Sequence, residues 1–212
     1  MPHPSMLGYG CIIQSPEGGS KVGLHKQAAI TMSATTYGSS EFLKQQLRSD
    51  PLVIKDELVN MLDILRMGRI FVNGDPVGYT WDIVELVEKY VQYKRSGEID
   101  RQTTIKWDDV INEVSFCVDY GRATRPFLIV YNNIRDYRAL GLSSPAKVKD
   151  FVQGVGITKK LIKEIYENKY TLDDLVKMEL VEYLTPGEMV RMYIAHSIDK
   201  VKEHIKDPLH QF

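Results

Sequence analysis

Side-by-side carboxylates are the residues from which metal-assisted transfer chemistry is built, because two cations need clustered oxygens to hold the attacking and leaving groups. The chain carries two such pairs, Asp108-Asp109 and Asp173-Asp174. No denser acidic cluster accompanies them, and each reads as a loop or helix-start charge. Glu17 is more informative. It stands between Pro16 and Gly18-Gly19, where small residues let backbone approach a ligand closely. Lys21 and Lys26 follow at a spacing suited to phosphate contact or to solvation. Arg122 and Arg125 flank a turn ahead of an apolar run, and a guanidinium there satisfies carbonyls and carboxylates two at a time. Gly74 and Gly121 supply turn geometry. The five histidines form no ligand set: His3 and His25 lie far in sequence from His196, His204 and His210. There is no Gly-x-Ser-x-Gly nucleophile turn and no Gly-Lys-Ser/Thr phosphate loop. The chain is expected to hold no catalytic residue, no metal and no cofactor of its own.

The elements that must position these residues are legible in part. Residues 8–24 read as loop, short strand, loop, and Ala28 to Met32 as a short buried strand. Gly38-Ser39-Ser40 caps a helix that stops before Asp50-Pro51. Over residues 55–66, Leu58, Met61, Leu62 and Leu65 recur at helical spacing. Ile70 to Val72 predicts a strand that turns at Asn73-Gly74, the strongest short hairpin signal present. A helix is expected from about Trp81 to Arg95, with Gly97 as its stop. Strands follow near 103–107, 113–119 and 126–131, the last a continuous apolar run expected to be deeply buried. Residues 145–177 read as helices. Leu180 to Leu184 and Met189 to Ala195 read as a strand pair joined by Pro186-Gly187. The expected organisation is α+β: a loop-and-strand segment over residues 1–33, a mixed subdomain over 34–134, and a mainly helical one with a strand pair over 135–212.

Composition narrows the class. The 212 residues are 43% hydrophobic and 26% charged, with a net charge of −1, which is ordinary globular composition. A free-standing nucleic-acid coat protein would show a basic excess. The two cysteines, Cys11 and Cys117, make neither a disulfide framework nor a zinc pair and are expected to be buried free thiols. No apolar run reaches membrane-spanning length, and the N-terminus has no secretory pattern. The expectation is a soluble intracellular protein, nuclear or cytoplasmic, or in a virion if viral, with no membrane partner.

Four segments in collinear order carry a resemblance. Cys11, Pro16, Glu17, Gly18, Gly23, Leu24 and Lys26 match a Cys-Pro-x-Glu-Thr-Pro-Glu-Gly segment followed by Gly-Leu. Ile12, Gln14 and Ser15 depart from it, and residues 19–22 make it one residue longer. Arg69 to Gly74 with Gly78 is similar to an arginine-x-phenylalanine-valine-asparagine-glycine turn. Asp119, Gly121, Arg122 and Arg125 to Val130 match an Asp-x-Gly-Arg…Arg-Pro-Leu strand. Leu180 to Leu184 is similar to a leucine-valine-glutamate-tyrosine strand. Together, over residues 8 to 196, they resemble the second-largest, beta-like subunit of multisubunit DNA-directed RNA polymerases of the eukaryotic or viral type.

The resemblance implies the end of the fork followed by the external lobes, without the hybrid-binding domain or the C-terminal zinc-binding clamp. It implies a structural role in framing the active-centre cleft during DNA-templated transcription, with Glu17, Gly18, Lys21 and Lys26 facing nucleotide or nucleic acid. Gly74, Gly121, Arg122 and Arg125 would be structural motif residues. Mg2+ would be bound by another subunit, and the partners would be other polymerase subunits, above all the largest, with DNA template and RNA in the assembled enzyme. The alternative is a stand-alone truncated paralogue acting as an interaction module on polymerase or transcription factors.

Overall fold

The computed structural model describes residues 6–14, 25–36, 38–55, 57, 59–60, 62–130, 159–190, 192, 194–197 and 199–200. The chain is α+β. It divides into two units, the first comprising residues 1–126 and 183–192, the second residues 127–182 and 193–212.

The first unit is organised by a hairpin. β2 (Gly68–Val72) turns at Asn73-Gly74 into β3 (Asp75–Thr80). Both turn residues have positive φ, 52° and 88°. That double left-handed step matches the right-handed twist of the flanking strands and explains why Asn and Gly stand there. β3 carries Pro76, which an edge strand tolerates. The outer side of β3 is covered by Ile54, which exchanges backbone hydrogen bonds of 2.7 and 2.8 Å with Tyr79. Gly78 sits under that contact, where a Cβ would come within 2.6 Å of the Ile54 carbonyl oxygen.

α2 (Ile83–Ser96) begins at Asp82, whose carboxylate accepts from the Glu85 amide, and ends at Gly97 with φ 90°. β4 (Thr104–Asp108) and β5 (Glu113–Cys117) complete a four-stranded sheet in the order β3-β2-β5-β4. β2 and β5 pair in parallel, with Arg69 opposite Glu113 and Val72 opposite Phe116. A parallel pair needs a long crossover, and β3, α2 and β4 provide it. α1 (Ser40–Ser49), capped by Ser39, adds Leu43 and Leu47 to a core shared with Ile70, Val72, Leu86, Tyr90, Val114 and Phe116. Tyr90 meets Phe116 edge to face at 5.2 Å, a favoured aromatic geometry.

A second sheet has the order β1-β6-β7, from β1 (Ser33–Ala34), β6 (Ala123–Leu128) and β7 (Val181–Leu184). β1 and β6 run antiparallel, with Ser33 opposite Thr124. The first unit closes with a single helical turn, α5 (Pro186–Met189). In the second unit lie α3 (Lys159–Tyr166) and α4 (Leu172–Lys177). Thr171 caps α4: its hydroxyl accepts from the Asp174 amide, and Asp174 accepts in return from the Thr171 amide at 2.8 Å. Leu175, Val176, Leu180, Val181 and Ile129 are buried in this unit, and the Ile129 amide donates to the Leu180 carbonyl.

Four local expectations are corrected. Residues 28–32 are not a buried strand: only Ala28 bridges, to Gly10, and Ile30 is fully exposed. Among the described residues of 55–66 there is no α-helix, and 62–66 are turns with Leu62 and Leu65 exposed, while Leu58 and Met61 lie outside the described residues. β6 starts at Ala123, and Leu128 and Val130 are exposed while Ile129 is buried, so that run alternates instead of being buried throughout. Pro186-Gly187 does not join two strands but opens α5, since Pro suits the first helical turn. Residues 145–158 lie outside the described residues.

Candidate functional site

The motif residues assemble into a polar seam, and Asn73 is its first stitch. Its side-chain carbonyl accepts from the Val118 amide at 2.9 Å, and its amide nitrogen donates to the Asp119 carboxylate at 2.8 Å. Its own backbone N–H donates to the Phe116 carbonyl at 2.8 Å. The hairpin turn is thereby tied to the chain leaving β5, so motifs that are 45 and 46 residues apart meet through one side chain.

Beyond Asp119 the chain turns at Gly121, with φ 78°, a conformation that favours glycine. Nothing crowds a Cβ there, so the requirement is conformational. Thr35 takes up this turn. Its backbone exchanges bonds with Gly121 and Arg122, while its hydroxyl donates to the Asp119 carbonyl and accepts from the Arg122 amide. The Arg122 guanidinium then spends its donors on three groups. Nε reaches the Asp119 carbonyl at 2.7 Å, one terminal nitrogen reaches the Gln102 carbonyl at 3.1 Å, and the other reaches the Thr104 hydroxyl. Gln102 in turn accepts from the amide and hydroxyl of Thr36. A planar fork of fixed donors suits such a junction better than lysine would.

At the far end of the seam lies a buried ion pair. Lys94 on α2 and Glu188 on α5 are almost fully buried and 2.7 Å apart. The Glu188 oxygen bonded to Lys94 also accepts from the Ile105 amide at 3.1 Å, and its other oxygen accepts from the Thr185 amide and hydroxyl. The carboxylate is fully satisfied, as a buried charge must be. It also occupies an edge amide of β4, which shields that sheet edge from pairing. Nearby, the Tyr9 hydroxyl donates 2.7 Å to the Leu184 carbonyl, which accepts from Thr124 as well. Burial, then the charge of Glu188, pushes the Tyr9 phenol up to about 12, against a smaller opposite pull from Arg125.

Of the residues singled out from the sequence, Gly74, Gly121 and Arg122 are gathered in or beside the seam. Arg125 is placed apart, donating to the Leu7 carbonyl against Gly8. Lys26 is half-buried and lies against Gly10. Glu17, Gly18 and Lys21 lie outside the described residues. Both cysteines are free and half-buried, rather than buried. Cys11 accepts from the Gln14 amide at 3.3 Å. That contact, with the Ile13 amide, holds the thiol below its ordinary range, while burial pushes Cys117 up.

Sequence reasoning passed over Asn73 as more than a turn residue, and over Thr35, Lys94 and Glu188 entirely. Only Glu188 left a signal. Thr185-Pro186-Gly187-Glu188 has the spacing of a capping box with proline at the first helical position. The seam's donors and acceptors are committed to one another, so its chemistry is cohesion. Among the described residues no group of His, Cys, Asp and Glu could hold a metal ion, and no helix is long and apolar enough to cross a membrane. A hollow along the hairpin, lined by Arg69 to Phe71 and Pro76 to Tyr79, holds about 40 Å³, enough for water and far too little for a nucleotide.

Residues 70–131 match the family model described as RNA polymerase Rpb2, domain 4. That span holds the hairpin turn, α2, both middle strands and the Asp119-to-Arg125 motif. Over 213 residues the chain is 27% identical to DNA-directed RNA polymerase subunit Rpo2 of Saccharolobus shibatae, covering 95% of this chain and 17% of that protein. It is 26% identical to DNA-directed RNA polymerase III subunit RPC2 of Saccharomyces cerevisiae, covering 91% of this chain and 15% of the relative. It is 30% identical to DNA-directed RNA polymerase D subunit 2b of Arabidopsis thaliana, over 62% of this chain and 11% of the relative. The chain thus spans about a sixth of the length of the first two. Residues 70–131 accordingly match an Rpb2-type domain 4, and over most of its length the chain is similar to part of the second-largest, beta-like subunits of multisubunit DNA-directed RNA polymerases.

Proposed function

We propose that this chain works as part of the second-largest subunit of a multisubunit DNA-directed RNA polymerase, framing the active-centre cleft during DNA-templated transcription. The observation that carries the reading is the collinear similarity to Rpo2 over 95% of the chain, centred on the domain whose hairpin and Asp-x-Gly-Arg turn are stitched together by Asn73. A seam built for cohesion suits a frame: its carboxylates and guanidinium are spent internally. On this reading residues 34–134 and 135–212 are external lobes, residues 1–33 are the end of the fork, and the chain has no catalytic activity alone. The polymerase Mg2+ belongs to another subunit, and the largest subunit is the chief partner, with DNA and RNA bound by the assembled enzyme inside the cell. Glu17, Gly18, Lys21 and Lys26 are proposed to face nucleotide or nucleic acid, because a Gly-flanked loop with two lysines suits phosphate.

The test is an immunoblot of fractionated source-cell lysate with an antibody to residues 34–134. Co-fractionation with DNA-dependent RNA synthesis and with a largest polymerase subunit is the expected result. Recovery away from that activity would overturn the reading and leave the stand-alone interaction protein.

A further inference from the structure

Asn73 is at once the stitch of the seam and the asparagine most open to attack by its own backbone. Asn73-Gly74 is the chain's one Asn-Gly pair. Glycine brings no side chain to obstruct its amide, and nothing lies within 4 Å of where a Gly74 Cβ would stand. Gly74 is exposed and Asn73 half-buried. The chemistry open to such a pair is deamidation. The Gly74 nitrogen gives up its proton and bonds to Asn73 Cγ. The Cγ–Nδ2 bond breaks, and that nitrogen leaves as ammonia, taking the proton. Water then opens one or other carbonyl of the cyclic imide, leaving aspartate or isoaspartate.

In the folded chain both ends of the carboxamide are held. Nδ2 donates to the Asp119 carboxylate at 2.8 Å, and the side-chain carbonyl accepts from the Val118 amide at 2.9 Å. Ring closure swings Cγ toward the following nitrogen and expels Nδ2, so it needs the stitch undone. The reactive state is a local opening of the turn. The product cannot remake the stitch. With oxygen in place of Nδ2, a second carboxylate would face Asp119 across 2.8 Å with no proton between them, and like charges so close disfavour each other. Arg122 does not bridge them, since it bonds the Asp119 and Gln102 carbonyls and the Thr104 hydroxyl. Isoaspartate, for its part, adds a carbon to the main chain of a two-residue turn, whose length sets the strand register.

We propose that Asn73 is a self-modification site gated by the seam: it deamidates when the turn opens, and the carboxylate product then keeps the turn unstitched. The test incubates the full chain at mildly alkaline pH, folded or in guanidinium chloride, and maps its tryptic peptides by mass spectrometry. Aspartate and isoaspartate are expected at position 73 of the folded chain, formed at least about tenfold more slowly than in denaturant. Asp119→Ala raises the folded rate about tenfold, the factor expected from one hydrogen bond to a charged group. Asp119→Asn, which keeps the shape, gives a smaller rise in the same direction. No conversion in the folded chain, conversion as fast as in denaturant, or a rate that neither variant changes overturns the gating. The latch is read separately. Asn73→Asp lowers the denaturation midpoint, and adding Asp119→Asn restores it, because an amide again donates to a carboxylate. An Asn73→Asp chain as stable as its parent, or one that Asp119→Asn does not rescue, overturns the latch.

Discussion

The core of the four-stranded sheet and the polar seam beside it hold the same unit together by different physics. In the core, Leu47, Val72, Leu86, Tyr90, Val114 and Phe116 are wholly buried, and area removed from water is the main stabilising term. In the seam, Thr35, Asn73, Arg122 and Glu188 contribute directed hydrogen bonds between segments far apart in sequence. A core tolerates exchange of shape for similar shape. A polar network tolerates least where it is buried, as around Lys94 and Glu188, since each member left without its partner there bears a desolvation cost. The first region sets that a lobe forms, and the second sets which chain segments close it.

The comparison is most severely tested in the core. Phe116→Ala removes the ring that Tyr90 packs against, and the expected loss is up to about 5 kcal/mol, read as a lower denaturation midpoint by circular dichroism. A loss under 1 kcal/mol would mean that the core is not the main support of the lobe.

Glu188→Ala comes next. It strands the Lys94 ammonium and the amides of Ile105 and Thr185 together, for an expected cost of about 3 kcal/mol. Lys94→Met should cost less, because Glu188 keeps both amide donors. The double variant Lys94→Met/Glu188→Leu should fall between the two, since it removes the buried charge yet leaves the amides unmet. Equal effects of the two single changes in urea titrations would show that the pair matters only as an ion pair.

Asn73→Ala deletes two side-chain bonds and a residue suited to positive φ, for about 1–3 kcal/mol. Loss of protection at the Val118 amide in hydrogen exchange would locate the effect at the stitch. Thr171→Ala in the second unit should cost about 1 kcal/mol through its cap, with protection lost only in α4.

The smallest expected effect is a pH dependence. Burial alone would raise the Asp50 carboxyl, but the Lys89 hydrogen bond at 2.7 Å and the Leu52 amide outweigh it and hold it below 3.8. The folded state therefore binds that proton less readily than the unfolded chain. The resulting stabilisation is complete above the ordinary value and is lost as pH falls through the folded one. Asp50→Asn should flatten the acid limb of stability against pH, and an unchanged limb would exclude Asp50 from it.

Local signals were read well where a few neighbouring residues decide. Ser39 before α1, Asn73-Gly74 at the hairpin and Gly97 after α2 each settle their own backbone. They failed where a distant surface decides. Of the apolar spacing over 55–66, Leu62 and Leu65 stay exposed in turns. Pro186-Gly187 suits a turn equally well until Thr185 and Glu188 close a helical one. Of the seam, the sequence showed Gly74, Gly121 and Arg122 as parts of separate motifs, without their meeting.

The sequence by itself determined the α+β alternation, the sharp hairpin and the collinear order of motifs that relates the chain to the polymerase subunits, because propensity, turn chemistry and motif spacing are local properties. Only the tertiary structure decided that β2 pairs in parallel with β5, that Thr35 and Arg122 share one turn, and that Glu188 returns to Lys94 across 94 residues. Each of those pairings closes a long loop, whose entropy must be offset by burial and hydrogen bonding summed over the whole unit, and no window of neighbouring residues contains that sum.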